Sequence, residues 1–284
     1  MGTGIQKVAV LGTGVLGSQI AFQTAFKGFE VVAYDINDAA LAAARTRFEQ
    51  LVGTYEREVP GAADGAAKAA LQRLTLTSEL PVAAHVDLVI EAIPEILELK
   101  RQIFTALNAL APAETIFATN SSTLLPSDLK DATGRPARFL ALHFANRVWQ
   151  FNTAEVMGTV DTDPAVYQQV VDFARAIGMV PIEMHKEKAG YVLNSLLVPF
   201  LNAAASLAAG GYAEPEDVDT TWRIATGSPL GPFQMYDVIG LMTPYNIMAH
   251  GDEESQKLAA WLKENYLDKG KLGLASGEGF YKYN

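Results

Sequence analysis

Two side chains able to transfer protons lie close together in the stretch "HFANRVWQFNTAEV", which runs from His143 to Val156. His143 precedes Glu155 by twelve residues, and apolar residues flank both. A carboxylate bonded to one ring nitrogen fixes the imidazole tautomer and stabilises the imidazolium, so that the other nitrogen can act as a base. The stretch therefore offers an acid–base pair for removing a hydroxyl proton. A packed structural histidine beside an unrelated carboxylate is the alternative.

A second polar cluster follows a neighbouring apolar run, in "ATNSSTL" at residues 118–124. It places Asn120, Ser121 and Ser122 at the end of one predicted strand, and His143 lies at the end of another. In open parallel sheets, ligands bind in the crevice outside the carboxyl ends of the strands. The cluster is therefore expected to face the same crevice as His143, although the same residue types also fit a helix N-cap.

The first half of the chain alternates short apolar runs with helical patterns. Such alternation is typical of βαβ units and predicts an α/β domain built on a parallel, doubly wound sheet. The predicted strands cover 7–12, 30–35, 87–93, 115–120, 139–145, 153–159 and 179–183, and the predicted helices cover 17–27, 38–58, 64–72, 95–110 and 164–177.

The alternation stops near "HKEKAG" (185–190), and only helical patterns follow. These patterns cover 190–209, 214–225, 233–249 and 253–266. The sequence therefore predicts two domains, a doubly wound domain at 1–186 and an all-helical domain at 187–284.

A glycine motif joins the first predicted strand to the first helix, as Gly12-x-Gly14-x-x-Gly17 in "VAVLGTGVLGSQIA". The first glycine permits a tight turn, the second lets the backbone approach a pyrophosphate, and the third lets the helix pack against the strand. Asp35 closes the next strand, where it would accept hydrogen bonds from ribose hydroxyls. Residues 36–38 contain no arginine to hold a 2′-phosphate. The pattern predicts a dinucleotide site that favours NAD over NADP.

Composition excludes several other classes of protein. The 284-residue chain has a formal net charge of −10, which argues against a nucleic-acid partner. It has no cysteine, so disulfides, thiolate metal sites and a cysteine nucleophile are excluded. Its first residues lack a secretory h-region, and its longest apolar stretch is interrupted by Asn194, Ser195, Pro199 and Asn202. We therefore expect a cytoplasmic protein with no metal and no membrane partner.

Several motifs, taken in order, resemble those of the 3-hydroxyacyl-CoA dehydrogenase family. They are "GTGVLGSQIA", "VIEAIPE", "ATNSSTL", "LHFAN", "AEVMGT", "AGYVLNSLLVPFLNAA", "GSPLGPFQMYDVIGL" and "SGEGFYKY". The resemblance covers nearly the whole chain and includes the short, single-activity 3-hydroxybutyryl-CoA dehydrogenases. It implies a Rossmann-type N-terminal domain, a helical C-terminal domain that forms a homodimer, NAD as cofactor and a short acyl-CoA as substrate.

The resemblance also assigns roles to individual residues. The catalytic set that it implies is Ser122, His143, Glu155 and Asn194. The cofactor-binding set that it implies, together with the glycine motif, is Gly12, Gly14, Val15, Leu16, Gly17, Asp35, Ala92, Glu95, Lys100, Asn120 and Asn146.

The chain departs from the family pattern at three places. The family motif HFFNP reads "HFANR" here, with Arg147 in place of proline, and Ala275 stands where the family often has a basic residue. Arg147 is expected to face solvent or cap a carbonyl group, with a substrate anion as the alternative partner. The bases available for CoA are Arg45, Arg47 and Arg57, which also fit a solvated helix face.

Two other functions stay open at this point. One is a dehydrogenase of a small non-CoA hydroxy compound of the carnitine or sugar-acid type. The other is a crystallin-like structural protein that binds NAD. The joint presence of Ser122, His143, Glu155 and Asn194 favours an enzyme.

Overall fold

The computed structural model describes residues 4–283, and its N-terminal part is built on one eight-stranded sheet. The strand order is β3-β2-β1-β4-β5-β6-β7-β8. The strands are β1 (Lys7–Leu11), β2 (Glu30–Tyr34), β3 (Leu74–Thr77), β4 (Leu88–Glu91), β5 (Ile116–Thr119), β6 (Phe139–Phe144), β7 (Thr153–Gly158) and β8 (Val180–Met184). This order places β1 and β4 side by side, and the chain winds outward from them in both directions, as a doubly wound sheet requires.

The helices of this part connect and cover the strands. They are α1 (Val15–Phe26), α2 (Asp38–Glu58), α3 (Ala66–Leu71), α4 (Leu80–Ala84), α5 (Leu97–Leu110) and α6 (Pro164–Ala176). Two separate apolar clusters fill the two faces of the sheet, one containing Val8 and Val10 and the other Ala9 and Leu11. Successive strand residues point to opposite faces, so a strand buried on both sides reads as a continuous apolar run. This confirms the predicted α/β class.

One pairing departs from the predicted parallel sheet. β7 runs antiparallel to β6, with His143 opposite Glu155 in the register, while β7 and β8 are parallel to each other. The connection from Phe144 to Thr153 contains no helix that could return the chain to the other end of the sheet. A short connection of this kind joins antiparallel neighbours, because a parallel pair needs a crossover.

The C-terminal part is helical, as predicted. It contains α7 (Leu193–Ala209), α8 (Pro215–Thr226), α9 (Pro232–Ile239), α10 (Met242–Ala249) and α11 (Glu253–Asn265). The predicted helix at 233–249 is two helices, because Gly240 has φ +87° and ends α9. The first compact unit ends at Tyr191 and the second begins at Val192, a few residues after the boundary that the sequence placed at 186.

Two short elements were not predicted. β3 has four residues and pairs only with β2, and α4 has five residues. Within residues 4–283, none of the helices combines the length and the apolar character needed to cross a bilayer.

Candidate active site

The glycine motif forms a turn between β1 and α1. Gly12 has φ +90°, and a Cβ atom there would lie 2.6 Å from the Ala92 carbonyl oxygen. A Cβ at Gly17 would overlap the Gly12 carbonyl oxygen, so α1 can pack this closely only without a side chain. Gly14 has open space around its Cα and lies just before the first turn of α1. The turn therefore leaves room for a pyrophosphate against the helix N-terminus, where backbone N–H groups favour an anion.

Asp35 follows β2 at the same edge of the sheet and is fixed by the glycine turn. Its Oδ2 accepts hydrogen bonds from the Thr13 amide at 2.8 Å and the Thr13 hydroxyl at 2.6 Å. Burial raises the pKa of Asp35, but these hydrogen bonds outweigh burial and leave the pKa below its usual range. An anionic Asp35 with lone pairs still available suits a ribose diol. Beside it, Ile36 is 74% exposed and offers an apolar surface to a nucleobase.

The sequence missed one feature of this end of the site. Arg47, on α2, donates a hydrogen bond to the Thr13 carbonyl oxygen at 3.2 Å, and its charge helps to lower the pKa of Asp35. Arg47 therefore stabilises the glycine turn and is not simply a solvated residue on the face of α2. The contact depends on the packing of α2 against the turn, which helical spacing alone does not reveal.

Three side chains form a hydrogen-bonded chain at the carboxyl edge of the sheet. Glu155 Oε2 lies 2.9 Å from His143 Nδ1, and His143 Nε2 lies 3.0 Å from Ser122 Oγ. His143 and Glu155 are 5% and 4% exposed. The antiparallel pairing of β6 and β7 places the two residues opposite each other, and the loop after β5 supplies Ser122. The arrangement can accept a proton at Nε2 while the carboxylate stabilises the imidazolium.

The Ser122 loop is held by Glu95. One carboxylate oxygen of Glu95 accepts hydrogen bonds from the Ser121 hydroxyl, from the Ser122 amide at 3.0 Å, and from the Thr123 amide and hydroxyl at 2.9 Å each. Burial raises the pKa of Glu95, but these hydrogen bonds and the charge of Lys100 outweigh burial and lower it to about 2. Glu95 therefore shapes the turn that presents Ser122, in addition to the cofactor contact that remains predicted for it.

Lys100 links Glu95 to the core of the sheet. Its Nζ lies 2.5 Å from Glu91 Oε1, 3.1 Å from the Ile93 carbonyl oxygen and 3.2 Å from Glu95 Oε2. Glu91 and Lys100 are 0% and 1% exposed, and Thr119 donates a further hydrogen bond to Glu91. An ammonium has three protons, and these three acceptors can take all of them. The predicted cofactor contact of Lys100 stays a prediction.

The remaining predicted cofactor residues lie at the same edge of the first unit. Asn120 is 9% exposed, and its side-chain oxygen accepts a hydrogen bond from the Phe144 amide, which ties the Ser122 loop to β6. Val15, the first residue of α1, is 65% exposed, and Asn146 is exposed just after β6. Leu16 is partly buried, and the Ala92 amide donates to the Leu11 carbonyl oxygen.

Arg147 has a partner that the sequence did not predict. Its Nη2 lies 3.1 Å from Glu58 Oε2 on α2, and the two side chains are 40% and 36% exposed. Trp149 donates to the same carboxylate oxygen at 2.8 Å. Arg147 also has φ +60°, which a proline at this position could not adopt. The change from HFFNP to "HFANR" therefore gives the loop after β6 a different path and attaches it to α2.

Asn194 belongs to the helical unit, in the first turn of α7. It lines a small cavity of about 50 Å³ together with Leu197, Val198 and apolar residues of α9 and α10. Its predicted role in catalysis stays a prediction. Across the described part of the chain, no group of His, Asp and Glu residues is arranged to hold a metal ion.

Comparison with known proteins identifies the family of the chain. Residues 7–188 match the family model for the NAD-binding domain of 3-hydroxyacyl-CoA dehydrogenase, and residues 190–283 match the model for its C-terminal domain. The mitochondrial hydroxyacyl-coenzyme A dehydrogenase of Rattus norvegicus is 35% identical over 98% of this chain and 91% of its own length.

Two solved structures are similar over almost the whole chain. A diketoreductase, described for its dual catalysis of dicarbonyl compounds, is 66% identical with a TM-score of 0.96, covering 100% of both chains. The (S)-3-hydroxybutyryl-CoA dehydrogenase of Ralstonia eutropha is 28% identical with a TM-score of 0.82, covering 99% of both chains. Because the two family models together match residues 7–188 and 190–283, the chain belongs to the 3-hydroxyacyl-CoA dehydrogenase family and is an NAD-dependent oxidoreductase.

Proposed function

We propose that the protein interconverts a 3-hydroxyl and a 3-keto group on a short acyl chain carried as a CoA thioester, with NAD as the redox partner. The observation that carries this proposal is the chain of hydrogen bonds from Ser122 through His143 to Glu155. It supplies one proton acceptor, one group that orients it and one hydroxyl beside it. Oxidation of an alcohol needs a proton acceptor beside the hydroxyl group once a hydride acceptor is present, and the other two groups position that acceptor and the substrate oxygen.

In the oxidation direction, the proton of the substrate 3-hydroxyl passes to Nε2 of His143. When bound, NAD would supply the acceptor for the hydride from C3, so that loss of this hydride and of the hydroxyl proton would leave a carbonyl group. Glu155 stabilises the imidazolium through Nδ1, and because both side chains are buried this charge interaction is weakly screened. Ser122 Oγ donates a hydrogen bond to the substrate oxygen, which is a hydroxyl oxygen before the reaction and a carbonyl oxygen after it. In reduction, His143 returns the proton.

A second substrate class has support of its own. The 66% identity with a diketoreductase described for dicarbonyl compounds supports a dicarbonyl compound as the substrate. Two of the arginines that could bind a CoA phosphate already have partners within the protein, because Arg47 bonds to Thr13 and Arg147 pairs with Glu58. Reduction of either substrate class converts a ketone to an alcohol, so the proposed chemistry at His143 is the same for both.

One assay separates these functions. The purified protein is given NADH and, in turn, acetoacetyl-CoA, an uncharged 3,5-diketo ester and free acetoacetate. Reduction of acetoacetyl-CoA at a kcat/KM well above that of the other two supports the proposal. Preference for the diketo ester would mean that the protein is a dicarbonyl reductase. Preference for acetoacetate would mean that its substrate is a small free acid. Tight NADH binding with no turnover of any of them points to a structural protein.

We also propose that the protein is a homodimer through its helical domain. Among the described residues of that domain, large apolar side chains lie exposed, including Leu196 at 69%, Tyr212 at 81% and Ile224 at 80%. Exposed apolar surface of this kind is typical of a subunit interface. Sedimentation equilibrium is expected to give twice the 30.5 kDa chain mass, and Ile224→Glu to shift it toward the monomer. A monomeric wild-type protein would contradict the proposal.

A further inference from the structure

The face of the His143 imidazole is covered by the ring of Tyr191. The two rings are nearly parallel, with 11° between their planes and 4.4 Å between their centroids. Tyr191 is 1% exposed and lies in a small apolar cluster with Ala141 and Met157, on the strands that carry His143 and Glu155. An aromatic ring is therefore built into the core directly against the proposed base.

The same tyrosine also contacts the loop that carries Ser122. Its hydroxyl donates a hydrogen bond to the Ser121 carbonyl oxygen at 2.8 Å, and the Gly190 amide donates to the Ser122 carbonyl oxygen at 3.3 Å. Burial raises the pKa of Tyr191, and the nearby charge of Glu155 raises it further, so the hydroxyl stays protonated and remains a donor. Tyr191 thus packs against His143 and is hydrogen-bonded to Ser121, the residue just before Ser122.

The backbone of Tyr191 is strained in a way that serves this placement. It has φ +51°, a left-handed conformation that bulky residues rarely adopt. Its amide donates to the Lys188 carbonyl oxygen at 3.0 Å, which closes a tight turn after β8. Strain of this kind persists only where the surrounding structure fixes it, and it is concentrated at functional sites.

The hydrogen bonds of His143 direct its ring but tolerate some tilt. Ser122 and Glu155 contact Nε2 and Nδ1, which fixes where the ring edge points. Because hydrogen bonds tolerate moderate angular deviation, the ring can still tilt about its Cβ–Cγ bond, and a ring packed flat against one face limits that tilt. The face of a tyrosine ring also attracts a cation, so it favours the imidazolium that forms when His143 takes a proton.

We propose that Tyr191 is a positioning residue for the reaction, whose ring holds the plane of the His143 imidazole and whose hydroxyl holds the Ser122 loop. The proposal rests on the proposed role of His143 as the proton acceptor. It adds a requirement beyond the hydrogen bonds between Ser122, His143 and Glu155. An aromatic side chain is needed at position 191, and the size of the side chain alone does not satisfy that need.

The test compares Tyr191→Phe, which keeps the ring, with Tyr191→Leu and Tyr191→Met, which fill much of the same space without one. The Leu and Met variants are expected to lose about tenfold to a hundredfold in kcat, the scale of a misplaced catalytic group, with an unchanged Kd for NADH. Tyr191→Phe is expected to lose only a few fold. If Tyr191→Leu fails to fold, the more flexible Met variant carries the comparison.

Two further measurements separate positioning from a general loss of stability. The acidic limb of the pH profile of kcat/KM for oxidation is expected to move to lower pH by about half a unit in the Leu or Met variant and not in Phe. In a His143→Gln background, Tyr191→Leu is expected to cost almost nothing in kcat. Equal losses in Phe and Leu, an unmoved profile, or full additivity with His143→Gln would overturn the inference. A His143→Gln variant with normal turnover would instead overturn the proposed function.

Discussion

His143 and Glu155 face each other across the antiparallel pair β6 and β7, and Glu155 Oε2 lies 2.9 Å from His143 Nδ1. The twelve-residue spacing therefore has a structural meaning, because it is the length of a strand end, a helix-free loop and the start of the returning strand. Direct opposition on neighbouring strands holds the carboxylate in place without a mobile loop.

The first prediction concerns this pair. His143→Gln is expected to lower kcat by about 10² to 10⁴, the usual contribution of a positioned general base, with little change in the Kd for NADH. Glu155→Gln is expected to lower kcat as well, because the imidazolium loses its charge partner. Steady-state kinetics and NADH titration measure both effects. Near-normal turnover in both variants, with only a lower Tm, would mean that the pair is structural.

The second prediction concerns cofactor choice. The pKa of Asp35 is lowered, so its side chain is anionic, and we predict that it lies where NADP would place its 2′-phosphate. Two like charges 4 Å apart cost about 4 kcal/mol at an effective dielectric of 20. Solvent screening reduces this value, so we expect kcat/KM for NADH to exceed that for NADPH by at least about tenfold. Asp35→Asn keeps the size of the side chain and removes its charge. It should therefore bring kcat/KM for NADPH closer to kcat/KM for NADH. Equal use of both cofactors by the wild-type protein would refute the argument.

The third prediction concerns Glu95 and acid. Its pKa is about 2 in the folded protein, against an ordinary value of 4.5, so its contribution to stability is present above about pH 4.5 and is lost as the pH falls toward 2. Glu95→Gln is expected to lower the free energy of unfolding by about 1 kcal/mol at pH 7, since the side chain is 36% exposed. Urea unfolding at pH 7, 5 and 3 should show that the difference in free energy of unfolding between wild type and Glu95→Gln becomes smaller as the pH falls. Glu98→Gln, on an exposed residue of α5, is the control. A pH-independent difference would contradict this account.

Much of this site follows from the sequence, and the part that does not has identifiable causes. The glycine motif, Asp35 and the strand ends that carry Ser122 and His143 could be predicted because buried parallel strands leave continuous apolar runs with turns at fixed places. β3 escaped prediction because it has four residues and none of them is fully buried. The contacts of Arg47 and Tyr191 could not be predicted from the sequence because they depend on tertiary packing. The contacts of Tyr191 also depend on a positive φ, which a tyrosine in the sequence does not indicate.

The fourth prediction concerns the terminal motif "SGEGFYKY". Buried Asp237 accepts hydrogen bonds from the amides of Phe280 and Tyr281, and a Cβ at Gly279 would overlap its carboxylate. Gly279→Ala is therefore expected to destabilise the protein by about 1 to 3 kcal/mol, the usual cost of overpacking. Gly53→Ala, in the middle of α2, is the matched control and should stabilise by about 0.5 to 1 kcal/mol. Thermal unfolding of both variants decides, and equal Tm values would refute the packing argument.

The last prediction concerns Arg147 and the substrate. Its guanidinium pairs with Glu58 on α2, both side chains are more than a third exposed, and such pairs contribute about 0 to 1 kcal/mol. Because the charge is already paired within the protein, Arg147→Ala is expected to change KM for acetoacetyl-CoA by less than about tenfold, which corresponds to about 1.4 kcal/mol. Glu58→Gln breaks the same pair but keeps the charge of Arg147. It therefore distinguishes binding of a substrate anion by Arg147 from attachment of the loop after β6 to α2. If Arg147 binds a substrate anion, Arg147→Ala raises KM strongly while Glu58→Gln lowers it. If the pair only attaches the loop after β6 to α2, the two variants have similar, small effects.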